Sequence, residues 1–522
     1  MALIALAAPL AACGGSPPQI VDYSPQRGAI DVSTAVPIRI TFDHDVDKAS
    51  VETRLHLSPA TAGQVEWAGG RQLTYQHPPL QPSTNYEVIL DPGYRDLAGN
   101  VYTLRHHWAF VTEAAPALVG STPATGDRGV DPAAYLALDF SRPMNGASLG
   151  SAITLYPTVP IDVRLDPNDS RRAVIAPSDL LTPNTTYQIA VNTAALDADG
   201  NQLDRDQTIQ FTTGAVHALH GWITFAVNNS DGSPGGAWIV DAQGFPRRVY
   251  DNGPVMSFDW SPAGDRLLVQ GAGDRWSDFV PGATSTPLPF KAPWAAALAS
   301  GMGYVYIDES HALHRLDGDG ADRTIAGDVS EAAVAPDGLR VAFVESSDTG
   351  TIWGYDVGLN ARYQVATDTG PISSVVWAPS GARLAYLRSD ARVTSLRVRN
   401  LTGSAATTTV ATGVLGSPAW LPDSLHVVLS AAIPTPSGLV HKGFVLNVVT
   451  PAPALTLAAA LPSDPGIDVT SPVPSPDGHQ IAFISGQQVW LMNADGTRPT
   501  PLTKEDASVF PYSCRTPAWT RT

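Results

Sequence analysis

Residues 375–387 read VVWAPSGARLAYL, and this pattern predicts the structure of the larger part of the chain. An apolar run ending at Trp377 is followed by Pro379 and Gly381, which favour a tight turn. The next residues, RLAYL, alternate between polar and apolar side chains with the period of a β-strand. The stretch therefore predicts two antiparallel strands joined by a short turn.

The same pattern recurs through the second half of the chain. Copies stand at 258–269, 332–344, 418–429 and 472–484, and a weaker copy stands at 296–307. The repeat is about 40 residues long, and its best copies continue into a third and a fourth strand. Four strands in a unit of this length are typical of a β-propeller blade.

The two ends of the repeat region predict how the ring closes. Residues 222–250 contain the second, third and fourth strands of a blade without a first strand. The stretch SCRTPAWT at 513–520 reads as a first strand alone, and its Trp519 occupies the repeat position of Trp260 and Trp377. We expect this C-terminal strand to complete the N-terminal blade, which removes two exposed sheet edges and makes seven blades.

The repeats resemble those of TolB-family propellers, and the resemblance covers nearly all of the predicted domain, residues 215–522. TolB propellers have six blades, so six is the alternative count. The resemblance implies a non-enzymatic propeller that engages other envelope proteins or peptides through the loops around its central funnel.

A second repeat, with a period near 100 residues, precedes the propeller. Its copies contain LQPSTNYEVIL and LTPNTTYQIAV, each followed by an Asp-x-x-Gly-Asn turn signal. The matched positions are Phe42 with Phe140, Tyr86 with Tyr187, Asn100 with Asn201, and Phe110 with Phe211. Alternating strands in a unit of this length predict one immunoglobulin-like (Ig-like) domain per copy, at 20–113 and 114–214.

The motif order in both copies resembles the bacterial Ig-like domain of S-layer proteins, which implies spacer or adhesion modules. The predicted fold class is therefore all-β. Two Ig-like β-sandwiches in tandem precede a seven-bladed propeller, with six blades as the alternative, and the C-terminal strand closes the ring.

The N-terminus resembles a bacterial lipoprotein signal. Residues 2–12 are apolar but too short to span a bilayer, and Leu10-Ala-Ala-Cys13 resembles a lipobox. The resemblance implies that residues 1–12 are a signal peptide and that Cys13 is lipidated. Residues 13–19 then form a flexible tether to the outer membrane, facing the periplasm or the cell surface. No Lys or Arg precedes the apolar run, which departs from the pattern; a buried N-terminal strand is the alternative.

The composition argues against nucleic-acid binding and bears on whether a disulfide can form. The net charge is −17 and no basic run occurs, so we expect no nucleic-acid partner. Lipidation of Cys13 would leave Cys514 without a disulfide partner. We predict no cofactor, no metal and a monomeric chain.

Several motifs suggest chemistry, but structural interpretations are favoured for all of them. Residues 146–150, GASLG, match the G-x-S-x-G elbow, yet the first copy of the repeat has no such motif there. His106 and His107 are adjacent and so face opposite sides of a strand. The acidic turns at Asp96, Asp197 and 317–322 read as structural turns, with calcium loops as the alternative. We predict no catalytic residue.

One segment is a candidate partner-binding loop. Residues 431–443, AAIPTPSGLVHKG, lengthen one repeat by about ten residues, and loops on rigid scaffolds often carry binding groups. A tolerated surface insertion is the alternative. The candidate contact residues are Ile433, Pro434, Pro436, Leu439, Val440, His441 and Lys442.

The sequence thus favours a non-enzymatic, lipid-anchored envelope protein. Its Ig-like pair would act as a stalk, and its propeller would bind an unidentified envelope protein or peptide. The alternative is a lyase-like or hydrolase-like propeller enzyme acting on an envelope or extracellular carbohydrate. No acid or His recurs at one repeat position, which disfavours that alternative.

Overall fold

The computed structural model describes most of the chain. The described residues are 15–215, 221–241, 244–281, 285–390, 393–403, 405–436, 438–451, 454–464, 466–504 and 510–520. Cys13 and the predicted signal peptide lie outside these ranges. Within them, no helix is long and apolar enough to cross a membrane.

The chain divides into two compact units. The first contains the described residues up to Asp127 together with Tyr135–Ile175 and Tyr187–Phe211. The second contains Arg128–Ala134, Ala176–Thr186 and the described residues from Thr212 onward.

The first Ig-like domain has seven strands and one short helix. They are β1 (Ile20–Ser24), β2 (Ile38–Phe42), α1 (Lys48–Glu52), β3 (Leu55–Ser58), β4 (Gln64–Ala68), β5 (Gln72–Gln76), β6 (Asn85–Leu90) and β7 (His106–Val111). One sheet has the order β1-β2-β5-β4 and the other β3-β6-β7. Their alternating inner residues, such as Ile38, Ile40 and Phe42 of β2, are buried in a single core.

The second Ig-like domain repeats this plan with one additional strand. Its elements are β8 (Leu118–Thr122), β9 (Arg128–Val130), β10 (Leu136–Phe140), α2 (Gly146–Ala152), β11 (Ile153–Tyr156), β12 (Ile161–Asp166), β13 (Asp169–Pro177), β14 (Thr186–Val191) and β15 (Gln207–Thr213). The sheets run β12-β13-β10-β8 and β11-β14-β15-β9.

The predicted correspondence between the two copies holds in three dimensions. The rings of Tyr86 and Phe110 stack with centroids 6.0 Å apart, and those of Tyr187 and Phe211 stack at 5.9 Å. Gly99 and Gly200 of the two turn signals have φ near +90°, a conformation that favours glycine.

A buried carboxylate joins the two copies within the first unit. Glu113 is 1% exposed, and its Oε1 accepts hydrogen bonds from the Thr34 N–H at 3.2 Å and from Asn201 Nδ2 at 3.0 Å. Arg142 donates to the other carboxylate oxygen. Burial raises the pKa of Glu113, while the Thr34 N–H and the Arg142 charge oppose that shift.

The remaining strands form the propeller. They are β16 (Ile223–Asn228), β17 (Pro234–Val240), β18 (Arg247–Tyr250), β19 (Ser257–Trp260), β20 (Leu267–Gln270), β21 (Arg275–Phe279), β22 (Thr286–Lys291), β23 (Trp294–Ala297), β24 (Tyr304–Ile307), β25 (Leu313–Leu316), β26 (Asp322–Ala326), β27 (Val329–Val334), β28 (Arg340–Glu345), β29 (Asp348–Asp356), β30 (Ala361–Thr367), β31 (Ile372–Trp377), β32 (Arg383–Ser389), β33 (Thr394–Asn400), β34 (Thr407–Leu415), β35 (Ala419–Trp420), β36 (His426–Thr435), β37 (Gly438–Asn447), β38 (Thr470–Pro474), β39 (Gln480–Ser485), β40 (Gln488–Asn493), β41 (Thr500–Pro501) and β42 (Ser513–Trp519).

These strands form six antiparallel sheets. Five of them have four strands each: β18-β17-β16-β42, β19 to β22, β23 to β26, β27 to β30, and β38 to β41. The sixth contains β31 to β37 and so joins the strands of two sequence repeats, because the end of β34 pairs with β36 through Val414 and Ala432. The number of blades therefore stays a prediction.

The predicted closure by the C-terminal strand is confirmed. The last strand, β42, pairs with β16, placing Ile223 opposite Trp519 and Thr224 opposite Ala518. The first sheet of the propeller thus takes its innermost strand from the far end of the chain.

Two segments of the second Ig-like domain pack within the propeller's compact unit. Arg247 is fully buried, and its Nη1 donates to the main-chain oxygens of Ala133 at 2.5 Å and Ala134 at 3.2 Å. Beside it, Arg248 forms a two-pronged ion pair with Asp179, at 2.7 and 3.0 Å.

The prediction that residues 431–443 form a loop is wrong. They belong to β36 and β37, which pair continuously from His426 opposite Asn447 to Thr435 opposite Gly438. Main-chain pairing extends both strands despite two prolines of low strand propensity, so that each has ten residues where β39 and β40 have six. The extra residues of this repeat therefore extend a regular β-hairpin.

Candidate functional site: the central cavity of the propeller

The first strands of all the propeller repeats line one cavity of about 670 Å³. This volume lies within the range of protein ligand sites. Prolines, small aliphatic residues and tryptophans make up most of its wall, and the polar contributions come from Asp259, Ser475 and Thr520. The cavity, hereafter the central cavity, is the concave site to which every repeat contributes.

One position of the repeat faces this cavity in every copy. Six of its seven occupants are Ala or Val, and these small side chains leave the cavity open. The seventh, Asp259 of β19, is a half-buried carboxylate. The occupants are Asp259, Ala296, Ala333, Val376, Ala419, Val473 and Ala518.

The repeated tryptophans link neighbouring repeats. The indole nitrogen of Trp377 donates to the Ala333 oxygen at 3.1 Å, and that of Trp420 donates to the Val376 oxygen at 3.2 Å. Both rings are nearly buried, and both also line the cavity. They stabilise the ring and form part of the cavity wall.

A polar group of residues stands at the start of the first strands. Glu331 of β27 accepts hydrogen bonds from the main-chain N–H groups of Ser374 at 2.8 Å and Val375 at 2.5 Å. The hydroxyl of Ser374 lies 3.0 Å from that of Ser417 in the next repeat. Burial raises the pKa of Glu331, and these two N–H donors oppose the shift.

The candidate contact residues of the hairpin do not line the central cavity. Leu439, near the hairpin tip, is 67% exposed, but Lys442 is only 1% exposed. Its ammonium group donates to the main-chain oxygens of Asp464, at 2.7 Å, and Ile467. Burial lowers the pKa of Lys442, with Asp468 and Asp464 opposing that shift. Lys442 is therefore buried and not exposed to a partner, and partner binding by the rest of the hairpin stays a prediction.

The structure places two of the other motifs in regular local structure. Ser148 lies inside α2 and donates to the Asn145 oxygen at 2.7 Å, so it is not on an elbow after a strand. Asp317 forms an ion pair with Arg315 at 2.6 Å beside a hairpin turn. Among the described residues, no three His, Cys, Asp or Glu side chains are arranged to hold a metal ion.

Sequence reasoning missed Asp259. The prolines, tryptophans and turn residues carry the local signal of the repeat, and Asp259 lies between them. Alignment of the repeats position by position would have shown one acid where the other copies have Ala or Val.

Sequence comparison supports the assignment of the first two domains. The family model described as "Bacterial Ig-like domain" matches residues 15–112 and 113–213. Among curated proteins, none matches the chain in sequence. The molecule is thus an all-β protein with two bacterial Ig-like domains followed by propeller sheets.

Comparison with solved structures returns matches at low identity. TolB from Acinetobacter baumannii is 14% identical, with 71% of this chain and 83% of that chain covered and a TM-score of 0.37. The Cps50 (Swd1) β-propeller domain from Myceliophthora thermophila is 12% identical, with 53% and 98% covered and a TM-score of 0.38. Hydrazine synthase from Kuenenia stuttgartiensis is 14% identical, with 46% and 77% covered and a TM-score of 0.37. No statement about function follows from similarity at this level.

Proposed function

We propose that the chain is a lipid-anchored binding protein of the bacterial envelope whose propeller binds a peptide or protein segment in the central cavity. The observation that carries this proposal is the cavity wall, in which one small side chain from nearly every repeat leaves room for a guest. Apolar walls with a few polar groups are typical of binding sites.

Carbohydrate cleavage is the less favoured function. Glycoside hydrolysis uses two carboxyl groups flanking the scissile bond. Among the described residues that line the central cavity, Asp259 is the only carboxylate. The cavity therefore fits a binding role better than that reaction.

Site-specific photocrosslinking in cells tests the proposal. A benzoylphenylalanine placed at Ser471, on the first strand β38, stands two residues before the cavity residue Val473. We expect it to form covalent adducts with an envelope polypeptide. The control position is Leu359, which is 77% exposed and lies in the turn between β29 and β30. Equal adduct yields at the two positions would contradict binding at the cavity.

A further inference from the structure

We propose that the first Ig-like domain rests on the lipid bilayer through the end at which the chain enters it, with the side chains of Leu97, Val101 and Leu104 in the membrane interface. This inference rests on the lipid anchor at Cys13 in the proposed function. It adds a second, noncovalent contact between the protein and the bilayer.

The chain enters the first Ig-like domain beside the turn at 96–100. The Gln19 N–H donates to Asp43 Oδ1 at 2.9 Å, and the Gln19 oxygen accepts from the Asp43 N–H at 3.0 Å. A Cβ added to Gly15 would lie 2.9 Å from Asn100 Nδ2, so Gly15 lies against the turn. Cys13 stands two residues earlier in the sequence, and two residues reach at most about 7 Å. A lipid on Cys13 would therefore be attached next to this turn.

Three apolar side chains in and after this turn are exposed. Leu97 is 73% exposed, Val101 is 45% exposed and Leu104 is 67% exposed. Leu97 lies in the turn and Val101 directly follows it, while Leu104 precedes β7, which runs from there toward the second Ig-like domain. Apolar side chains beside a membrane anchor gain free energy by entering the boundary between headgroups and acyl chains. The position of the anchor therefore identifies the bilayer as the partner of this surface.

The second copy of the domain shows that the fold does not require these apolar side chains. The residues at the positions equivalent to Leu97, Val101 and Leu104 are, in order, Ala198, Gln202 and Arg205. All three are exposed. Of the two copies, the one next to Cys13 thus has the apolar residues at these positions.

The charged side chains beside these residues are paired. Arg95 Nη2 lies 2.5 Å from Asp47 Oδ2, and Arg105 Nε lies 3.5 Å from Asp91 Oδ1. The headgroup surface of a membrane with anionic lipids repels acidic groups, and the chain as a whole has a net charge of −17. Local pairing reduces that repulsion at this end of the domain.

Quenching of a fluorescent label by lipid tests the contact. The full chain, purified from bacterial membranes, carries Thr103→Cys labelled with nitrobenzoxadiazole; Thr103 is exposed, whereas Cys514 is only 5% exposed and should escape the label. The vesicles contain phosphatidylethanolamine, phosphatidylglycerol and a lipid with a nitroxide on its acyl chain. We expect the nitroxide to quench the label at position 103. A label at Ala198→Cys, near the contact of Asn201 with Glu113 at the other end of the first domain, should stay unquenched.

A variant with the side chains of the second copy separates this contact from the lipid anchor. It combines Leu97→Ala, Val101→Gln and Leu104→Arg, which the fold of the second copy accommodates, so its melting temperature should be unchanged. It should float with the vesicles as completely as the wild type, because the acyl chains hold it, while quenching at position 103 falls to the level at position 198. The matched control is Val119→Gln, which removes a 66% exposed side chain from β8 and should leave quenching intact.

The outcomes distinguish the inference from the proposed function. An unquenched label at position 103 in a chain that floats with the vesicles, or undiminished quenching in the triple variant, would overturn the inference and leave the lipid anchor standing. A wild-type chain that does not float with the vesicles would contradict the lipid anchor, and the inference with it.

Discussion

The indole nitrogen of Trp519 donates a hydrogen bond to the main-chain oxygen of Val473 at 3.0 Å. Trp519 lies on β42, and Val473 lies on β38 of the neighbouring sheet. The same strand pairs along its length with β16. The C-terminal strand is thus bonded on both sides, so its removal should weaken the ring.

Removal of residues 516–522 should open the propeller. The deletion exposes the edge of β16 and removes Trp519, and loss of a packed Trp costs about 3–5 kcal/mol when the ring is fully buried. Trp519 is half-buried, so we expect the lower end of that range from the ring alone. Limited proteolysis should show rapid cleavage of the propeller while the Ig-like domains persist. Identical melting temperatures for the truncated and full-length chains would show that β42 does not hold the ring.

Cys514 should be inert in the folded chain and should make stability fall at high pH. Burial raises the pKa of its thiol to about 12 from an ordinary value of 9.0. Because the folded state favours the thiol, this contribution is complete below about pH 9 and is lost as the pH rises toward 12. Relative to Cys514→Ala, the unfolding free energy should decrease by about 1.4 kcal/mol per pH unit in that window.

Urea unfolding at pH 8, 9 and 10 measures the free energy of unfolding of the chain with Cys514 and of the Cys514→Ala variant. Cys13 is replaced by Ser in both chains, so that the Cys514 thiol is the only difference between them. A thiol reagent at pH 8 should modify Cys514 only in urea. Modification in native buffer at the rate of a free thiol would show that the residue is accessible.

Arg247→Ala should destabilise the second compact unit by about 2–4 kcal/mol. The substitution leaves the oxygens of Ala133 and Ala134 without this donor in a buried site. Arg248→Ala is the matched control, because its pair with Asp179 is about a third exposed and contributes about 1 kcal/mol or less. Hydrogen exchange of residues 128–134 should accelerate far more in the first variant than in the second.

Shortening the β36–β37 hairpin should leave the stability of the chain nearly unchanged and so allow a separate test of partner binding. Replacement of residues 434–439 by an Asn-Gly turn keeps the pairing of Ile433 with Val440, the packing of Ile433 against the core and the bonds of Lys442. We expect the melting temperature to change by less than about 2 °C, because loop and tip changes cost little. Lys442→Ala, in contrast, should lower it by several degrees.

If the hairpin tip contacts a partner, the shortened chain should lose capture of that partner at unchanged stability. Full capture by the shortened chain would show that the extra residues of the hairpin are a tolerated insertion with no role in binding.

Cys13→Ala should release the protein from membranes, since the thiol would carry the lipid. Metabolic labelling with an alkyne palmitate should mark the wild-type chain and leave the variant unmarked. A wild-type chain that takes up no label and leaves membranes in carbonate buffer would contradict the lipid anchor.

The sequence predicted the features that arise from local patterns. Alternation of side chains and turn residues identified both Ig-like copies and the propeller strands, and the isolated first strand around Trp519 predicted closure. These features depend on short segments and on repetition, so they can be predicted from the sequence alone.

Features that depend on contacts between distant parts of the sequence could not be predicted from local patterns. Nothing local indicates that Glu113 bonds to Asn201, or that Arg247 bonds to Ala133. The sequence likewise gave no sign that Lys442 is buried, because Pro434 and Pro436 suggested a loop where the chain extends a hairpin. The cavity position of Asp259 required knowledge of which side of each first strand faces the axis.

The pairing of β42 with β16 has a consequence for biogenesis. During synthesis β16 emerges before the rest of the propeller, and its partner β42 follows only after nearly the whole domain has been made. In that interval the edge of β16 offers unsatisfied main-chain groups to any extended segment nearby. A circular permutant that begins at β42 and runs directly into β16 should shorten that interval and aggregate less during refolding.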